Sequence, residues 1–138
     1  MTALLFAFAS AVFAALTAIL AKIGMDGVDS TTATAVRTVV VLVMSWAMVF
    51  IAGHGSSLQS FTSRNWWFLL LSGLATGASW LCYFKALQTG SVAQIVAIDK
   101  CSIVFTVLLA AVLLGEGISL KTAAGTALIV LGTFVMIL

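Results

Sequence analysis

The chain has 138 residues, of which 63% are hydrophobic and 7% are charged, and its formal net charge is +2. A soluble domain carries about 25% charged residues, so this composition excludes an ordinary water-facing surface. The small net charge and the lack of a basic cluster also exclude a nucleic-acid-binding protein.

The first apolar run covers residues 3–21 and predicts a membrane-spanning helix, because a span needs about 20 mostly apolar residues. It is preceded by Met1 and Thr2, without the lysine or arginine of a signal peptide, so we expect it to be a retained helix. Four further apolar runs predict spanning helices at residues 32–52, 66–87, 92–114 and 122–138.

The connections between these runs are short and polar. Trp66 and Trp67 directly follow Arg64 and Asn65, a pattern typical of aromatic anchors at a membrane interface. The predicted fold is therefore all-α, a polytopic membrane protein with about five transmembrane helices in one domain, residues 1–138.

Charge in the connections specifies the orientation only weakly. Arg64 and Lys121 lie on the side of the membrane that holds the N-terminus, here called side one, and Lys22 lies on side two. The positive-inside rule favours a cytoplasmic side one by a single residue. Such a small bias permits insertion in both orientations.

Four ionisable residues lie within the predicted spans: Arg37, Lys85, Asp99 and Lys100. Charge is costly in lipid, and all four are expected in the half of the bilayer nearer side two, which predicts a cluster facing protein or water. With three cations and one anion, the cluster would attract an anionic or zwitterionic solute. Alternatively, Asp99 pairs with a cation for folding while the lysines extend toward the headgroups.

Two helices present side chains that suit a solute pathway. Asp99, Ser102 and Thr106 follow i, i+3, i+7 spacing, which places them on one face of the fourth predicted helix. Trp80 and Phe84 share a face of the third helix and could stack on a solute near the charges. For both sets the alternative is plain helix packing.

Glycines predict close helix contacts. Gly73 and Gly77 form a small-xxx-small motif on the third helix, and such motifs let another backbone approach closely. Gly125 and Gly132 share a face of the last helix. These contacts could lie within the chain or across a dimer.

Nothing in the sequence indicates an enzyme or a bound cofactor. Cys82 and Cys101 do not suggest a disulfide framework, and His54 has no partner at metal-ligand spacing. No catalytic triad, phosphate-binding loop or pair of carboxylates can be drawn from the chain. We therefore expect no metal, no cofactor and no enzymatic activity.

The run Ser-Trp-Leu-Cys-Tyr-Phe-Lys-Ala-Leu at 79–87 is followed by Gly90 and by Val92-Ala93. This pattern resembles the third and fourth helices of EamA-like transporters, within the drug/metabolite transporter superfamily. Leu-Leu-Gly-Glu at 113–116 resembles the Leu-Gly-Glu turn of that family, and Gly125 and Gly132 resemble its glycine-bearing last helix. The first two helices agree in length, order and the position of Arg37.

One position departs from the family pattern. The family usually shows Glu-Pro in the middle of the fourth helix, where this chain has Asp99-Lys100, similar to a subgroup of short bacterial members with five helices. The change removes a helix-kinking proline and adds a cation. The resemblance implies a multi-pass carrier of the inner membrane. Longer members have ten helices in two inverted repeats, and this chain supplies one.

The resulting hypothesis is secondary transport of a small anionic or zwitterionic metabolite across the bilayer by alternating access, in an antiparallel homodimer of dual topology. Asp99 would couple transport to a proton or to the solute, while Arg37, Lys85 and Lys100 would hold solute charge. The alternatives are an accessory or scaffold subunit of another membrane protein and an exporter of cationic drugs. The excess of intramembrane cations argues against the exporter.

Overall fold

The structure is a computed structural model that describes residues 2–138, and all regular secondary structure in that range is helical. The α-helices are α1 (Thr2–Gly24), α2 (Ser30–Ile51), α3 (Ser63–Thr89), α4 (Val92–Lys100), α5 (Ser102–Leu109) and α6 (Leu120–Ile137). A 3₁₀-helix (Gly55–Ser60) precedes α3, and a π-helical turn (Ala110–Leu114) continues α5. The predicted all-α class is confirmed.

Five helical segments within residues 2–138 are long and apolar enough to cross a membrane, as predicted. Four of them are α1, α2, α3 and α6, and the other is Val92–Leu114, which contains α4, α5 and the π-helical turn. Their apolar side chains are mostly exposed, including Phe6, Val40 and Leu128. Exposed apolar surface on this scale would be unstable in water and suits a chain surrounded by lipid.

Two spans begin earlier than predicted because polar side chains cap them. The Asp29 carboxylate accepts a hydrogen bond from the Thr32 backbone N–H at 2.9 Å, so α2 begins at Ser30. The Ser119 hydroxyl accepts one from the Thr122 backbone N–H at 3.0 Å, so α6 begins at Leu120. Such caps satisfy N–H groups that have no partner inside the helix.

The fourth span is interrupted at Cys101, where the sequence predicted a continuous helix. The Cys101 N–H donates to the Ile98 carbonyl at 2.9 Å, and the Val104 N–H donates to the Cys101 carbonyl at 3.0 Å. These i to i+3 bonds form a tight turn of the 3₁₀ type between α4 and α5. The interruption is therefore present in a chain that contains no proline.

The same span ends in a glycine cap. Gly115 has a φ of +70°, the left-handed conformation that glycine adopts without a steric penalty. The Ala110 carbonyl accepts the Gly115 N–H and, at 3.3 Å, the Glu116 N–H. The Leu-Gly-Glu pattern thus marks a helix C-terminus that satisfies an otherwise unpaired carbonyl.

The chain divides into two compact units, which are described separately. The unit Leu20–Gln88 contains the end of α1, the whole of α2 and nearly all of α3. Its buried residues are few, and half of them are small: Ala21, Met25, Ser30, Thr34, Phe84 and Leu87. This centre lies near the side-two ends of the three helices.

The other unit contains the chain up to Ile19 together with Thr89–Leu138. In it α4 packs against α6, and the buried residues Ala97 and Thr133 meet at this contact. The Thr133 hydroxyl lies 3.1 Å from the Ala97 carbonyl oxygen and 2.9 Å from that of Ile129, so one hydroxyl joins the two helices.

Candidate functional site

Arg37 lies against two aromatic rings of α3. Its guanidinium carbon is 4.0 Å from the centre of the Phe84 ring and 5.6 Å from the centre of the Trp80 ring. The two rings meet edge to face with centres 6.5 Å apart, and only 2% of Phe84 is exposed. Both distances are within the range of cation–π attraction, which stabilises a guanidinium away from water.

One nitrogen of this guanidinium lacks a hydrogen-bond acceptor in the described part of the chain. The Nη1 atom of Arg37 is buried and has no hydrogen-bond partner among residues 2–138. A buried donor without an acceptor is costly, and a charged donor more so. The aromatic rings stabilise the positive charge without accepting these N–H bonds in the usual geometry. An anionic oxygen from a bound solute would satisfy the atom and also neutralise the charge.

A groove runs between α2 and α3 beside Arg37. Its volume is about 690 Å³, which lies in the range of about 300–1,000 Å³ that is usual for small-molecule sites. Small, hydroxyl-bearing and apolar side chains line it, with Trp80 as the aromatic part: Thr31, Thr34, Ala35, Thr38, Leu69, Ser72, Gly73, Thr76, Gly77, Trp80 and Leu81. No side chain in this lining carries a formal charge.

The hydroxyl groups of the groove act mainly as acceptors. Thr34, Thr38 and Thr76 each donate their hydroxyl proton to the carbonyl four residues earlier in their own helix, at 2.7, 2.8 and 2.9 Å. A hydroxyl that has donated its proton keeps acceptor lone pairs. The groove thus offers acceptors along its walls, and Arg37, which is not part of this lining, contacts it through Trp80.

Lys22 fixes the side-two end of α3. Its ammonium donates to the carbonyl oxygens of Leu87 and Gln88 at 2.8 and 2.9 Å. The Gln88 side-chain amide in turn donates to the carbonyls of Met25 at 3.4 Å and Val28 at 2.6 Å. A cation at a helix C-terminus pairs favourably with the unsatisfied carbonyls there. These bonds hold the aromatic end of α3 in register with α1 and the loop after it.

Lys85 is exposed near the end of α3, and it too takes part in contacts within this unit. Its positive charge acts on Asp29, whose pKa lies below its ordinary value mainly because the Thr32 backbone N–H donates to the carboxylate. The Lys85 charge adds to that lowering. Asp29 is thus an anion that both caps α2 and interacts with an intramembrane cation.

Asp99 and Lys100 form an ion pair within the last turn of α4. The Lys100 Nζ is 3.6 Å from the Asp99 Oδ2, and the side chains are 59% and 43% exposed respectively. The pair directly precedes the turn at Cys101. Arg37 and Lys85 belong to the other unit, so the clustering of all four charges stays a prediction.

Ser102 and Thr106 lie in α5 and are exposed. The Thr106 hydroxyl donates to the Ser102 carbonyl at 3.0 Å. The turn at Cys101 separates them from Asp99, which lies in α4. The face that the three residues were predicted to share therefore also stays a prediction.

The four glycines predicted to pack are open in this structure. A Cβ atom added at Gly73, Gly77, Gly125 or Gly132 would meet nothing within 4 Å among residues 2–138. No helix of the described chain uses the space that these glycines leave. The prediction that these glycines pack closely therefore concerns a contact with a second molecule, and it stays a prediction.

Sequence reasoning missed the Lys22 and Gln88 bonds and the aromatic partners of Arg37. Trp80 and Phe84 were identified as a shared face, but their contact with Arg37 depends on the register between α2 and α3. Lys22 had one available signal, because it is a cation in the last turn of its helix. No group of three metal-ligating side chains occurs among residues 2–138.

Comparison with known proteins agrees with this architecture. The EamA-like transporter family matches residues 1–138. A curated protein of a Sinorhizobium species, described as an uncharacterized transporter in the cobO 3′ region, is 44% identical over 130 residues. That match covers 94% of this chain and 92% of the relative. No solved structure matches.

These matches span almost the whole length of the chain, and the five apolar segments agree with a membrane protein. The family points to a membrane transporter rather than to an enzyme. The chain belongs to the EamA-like transporter family.

Proposed function

We propose that the protein is a secondary transporter of a small anionic or zwitterionic metabolite across the bacterial inner membrane. The observation that carries this proposal is the buried Nη1 of Arg37, which has no hydrogen-bond partner among residues 2–138, on a guanidinium that lies over Trp80 in the wall of the α2–α3 groove. A carboxylate or similar oxyanion in the groove would supply two acceptors to the guanidinium. A cationic solute would leave this donor unsatisfied and would be repelled by it.

The charge balance within each unit supports the same class of solute. Asp99 already has a cation next to it, Lys100, at 3.6 Å. Arg37 forms no ion pair with any residue between 2 and 138, and its guanidinium lies over the two rings. A carrier for cations would be expected to present the opposite arrangement, with an uncompensated carboxylate near the aromatic rings.

Asp99 is proposed as the coupling residue. It is the intramembrane carboxylate, it is accessible, and it lies directly before the turn that separates α4 from α5. Interrupted helices in secondary carriers commonly form the sites of coupling ions and solutes, because backbone groups there are free of the helix ladder. Exchange of a proton or of solute at Asp99 would accompany the rocking of one repeat against the other.

The functional unit is proposed to be an antiparallel homodimer. One five-helix repeat supplies half of the inverted-repeat architecture on which alternating access depends. An odd number of spans makes the second orientation available by insertion alone, and the charge bias between the two sides is small. The exposed glycines of α6, Gly125 and Gly132, offer a surface on which a second copy could pack closely, whereas Gly73 and Gly77 of α3 line the proposed solute groove.

The solute class is tested by uptake into proteoliposomes that contain the purified protein. The probes are a panel of radiolabelled small carboxylates and α-amino acids and a matched panel of quaternary ammonium compounds. We expect uptake confined to the first panel and driven by a proton gradient. Uptake confined to the ammonium compounds would contradict the proposal and would favour the cation exporter.

The coupling role is tested with Asp99→Asn, with Asp26→Asn in an exposed loop as the matched control. We expect Asp99→Asn to abolish gradient-driven uptake while the variant still purifies as a folded protein. Asp26→Asn should retain it. Normal gradient-driven uptake by Asp99→Asn would show that this carboxylate is not the coupling group.

The dimer is tested with orientation reporters fused to the C-terminus in a bacterial inner membrane. One reporter is active only in the cytoplasm and the other only outside. Signal from both is expected for dual insertion. Signal from one side alone would rule out the antiparallel pair and would favour an accessory subunit that completes a different, inverted protein.

A further inference from the structure

The position of Arg37 has a consequence for selectivity. Aromatic ring faces are the surfaces on which proteins recognise organic cations, since the ring quadrupole attracts positive charge. In this protein a guanidinium of the chain itself already lies on those faces, 4.0 Å from the Phe84 centre and 5.6 Å from the Trp80 centre. The protein thus holds its own cation where a cationic ligand would stack.

We propose that Arg37 determines the sign of the solute charge, because its guanidinium occupies the Trp80 and Phe84 faces and thereby excludes organic cations from the α2–α3 groove. A neutral side chain at position 37 would open the same groove to an organic cation. This inference rests on the proposed function in one respect, namely that the groove is the solute site.

The remaining groups of the groove suit a cation once Arg37 is removed. None of the lining side chains carries a formal charge, and Arg37 meets the lining through its contact with Trp80. The hydroxyls of Thr34, Thr38 and Thr76 have given their protons to their own helix and present acceptor oxygens. Acceptors around an aromatic face, in a space of about 690 Å³, form a surface that favours a small organic cation.

Trp80 connects the two features. It lines the groove and is partly exposed, and it also contacts Arg37. Phe84 is buried, with Arg37 over its face. Shortening or neutralising residue 37 would therefore extend the accessible aromatic surface from Trp80 toward Phe84. Loss of the positive charge and exposure of more aromatic surface would both favour the binding of an organic cation.

The experiment measures binding of radiolabelled benzyltrimethylammonium to the purified full-length protein by equilibrium dialysis. Arg37→Gln and Arg37→Met remove the charge, and Arg37→Lys keeps it. We expect both neutral variants to bind the probe at least about tenfold more tightly than the wild type does, in line with a desolvated cation–π contact. Arg37→Lys should behave like the wild type. Adding Trp80→Leu to Arg37→Gln should reverse the gain.

Several results would overturn the inference. One is a folded Arg37→Gln or Arg37→Met protein that binds the probe no better than the wild type. Another is an equal gain in Arg37→Lys, because charge would then not be the cause. A gain that survives Trp80→Leu would place the cation elsewhere. If no neutral variant folds, Arg37 is a structural cation and the selectivity role is also refuted.

These results are separable from the test of the proposed function. Uptake of carboxylates by the wild type, combined with no gain of cation binding in the neutral variants, would refute the inference alone. A gain of cation binding in a protein whose wild type transports no acid would refute the proposed solute class alone.

Discussion

The two units of this protein hold their intramembrane cations in different ways. In the unit Leu20–Gln88, Arg37 lies over two rings and has a buried nitrogen without an acceptor. In the other unit, Lys100 is 59% exposed and pairs with the neighbouring Asp99. The first cation lies against aromatic rings and has one nitrogen without an acceptor among the described residues, whereas the second is exposed and paired with a carboxylate.

The backbone near each of these cations, Arg37 and Lys100, also differs between the two units. The end of α3 is tied by Lys22 and Gln88 to α1 and to the following loop. The end of α4 is a break in its own span, where the turn at Cys101 replaces the α-helical bonds. A fixed site suits the recognition of a solute, and a discontinuous helix suits a change of conformation during coupling. Under the proposed function, the unit Leu20–Gln88 would bind the solute and the other unit would couple its transport.

The largest expected effect concerns solute affinity. Replacing Arg37 with Gln should weaken acid binding by about tenfold to a hundredfold, since a charge-assisted hydrogen bond is worth about 1.5–3 kcal/mol. Replacing Lys100 with Gln should weaken it by less than about fivefold, because an exposed ion pair contributes about 0–1 kcal/mol. The measurement is the KM for uptake of the best carboxylate in proteoliposomes.

Arg37→Lys is the control for charge without the planar guanidinium, and it should retain part of the affinity. Equal losses from Arg37→Gln and Lys100→Gln would contradict the difference in solute binding expected between the buried nitrogen of Arg37 and the exposed, paired Lys100. A larger loss from Lys100→Gln would reverse it.

The next effect concerns stability. Lys22→Met removes two charge-assisted hydrogen bonds to main-chain carbonyls, and we expect it to lower the free energy of unfolding by about 2 kcal/mol. Lys121→Met, at the exposed start of α6, is the matched control and should change it by less than about 0.5 kcal/mol. Both are measured by detergent denaturation of the purified protein. A Lys22→Met protein as stable as the control would show that the α3 end is not held in this way.

The architecture was predictable because the length of a span and its apolar content are set by the bilayer. Helix starts were misplaced by two residues where capping decided them. Asp29 and Ser119 are residue types that commonly cap helices, but the predicted helices began at the first continuous apolar run instead. The caps extend each helix backward and satisfy its first N–H groups.

The site was only partly predictable. Arg37 was identified because a charge in a span is costly, and Trp80 because it lies near the predicted charges. Their mutual contact depends on how α2 and α3 align, which no local pattern in one sequence specifies. The turn at Cys101 was also missed, since neither proline nor glycine occurs there. It results from i to i+3 bonds that many residue types can form.

A smaller effect compares two threonines of α6 in the second unit. The buried Thr133 hydroxyl bonds to the Ala97 carbonyl on α4, so Thr133→Val should lower the free energy of unfolding by about 1 kcal/mol. The Thr126 hydroxyl is buried without a partner among residues 2–138, so Thr126→Val should be neutral or stabilising. Detergent denaturation measures both. Equal destabilisation would mean that a general cost of valine in α6, and not the loss of the hydrogen bond to Ala97, is responsible.

The smallest effect is a dependence on pH at the start of α2. The pKa of Asp29 lies below its ordinary value of 3.8, chiefly because the Thr32 N–H donates to the ionised carboxylate. A lowered pKa in the folded state means that the ionised cap stabilises the protein above pH 3.8 and that this stabilisation is lost as the pH falls through the folded-state pKa. Asn at this position still caps a helix but does not titrate. Asp29→Asn should therefore lose some stability relative to the wild type at pH 7, and the difference should shrink toward pH 3, as thermal unfolding in detergent would record. A difference that is the same at both pH values would exclude stabilisation by a charged cap. The contacts that hold the helices of the unit Leu20–Gln88 together would then be those of Lys22, Gln88 and Arg37.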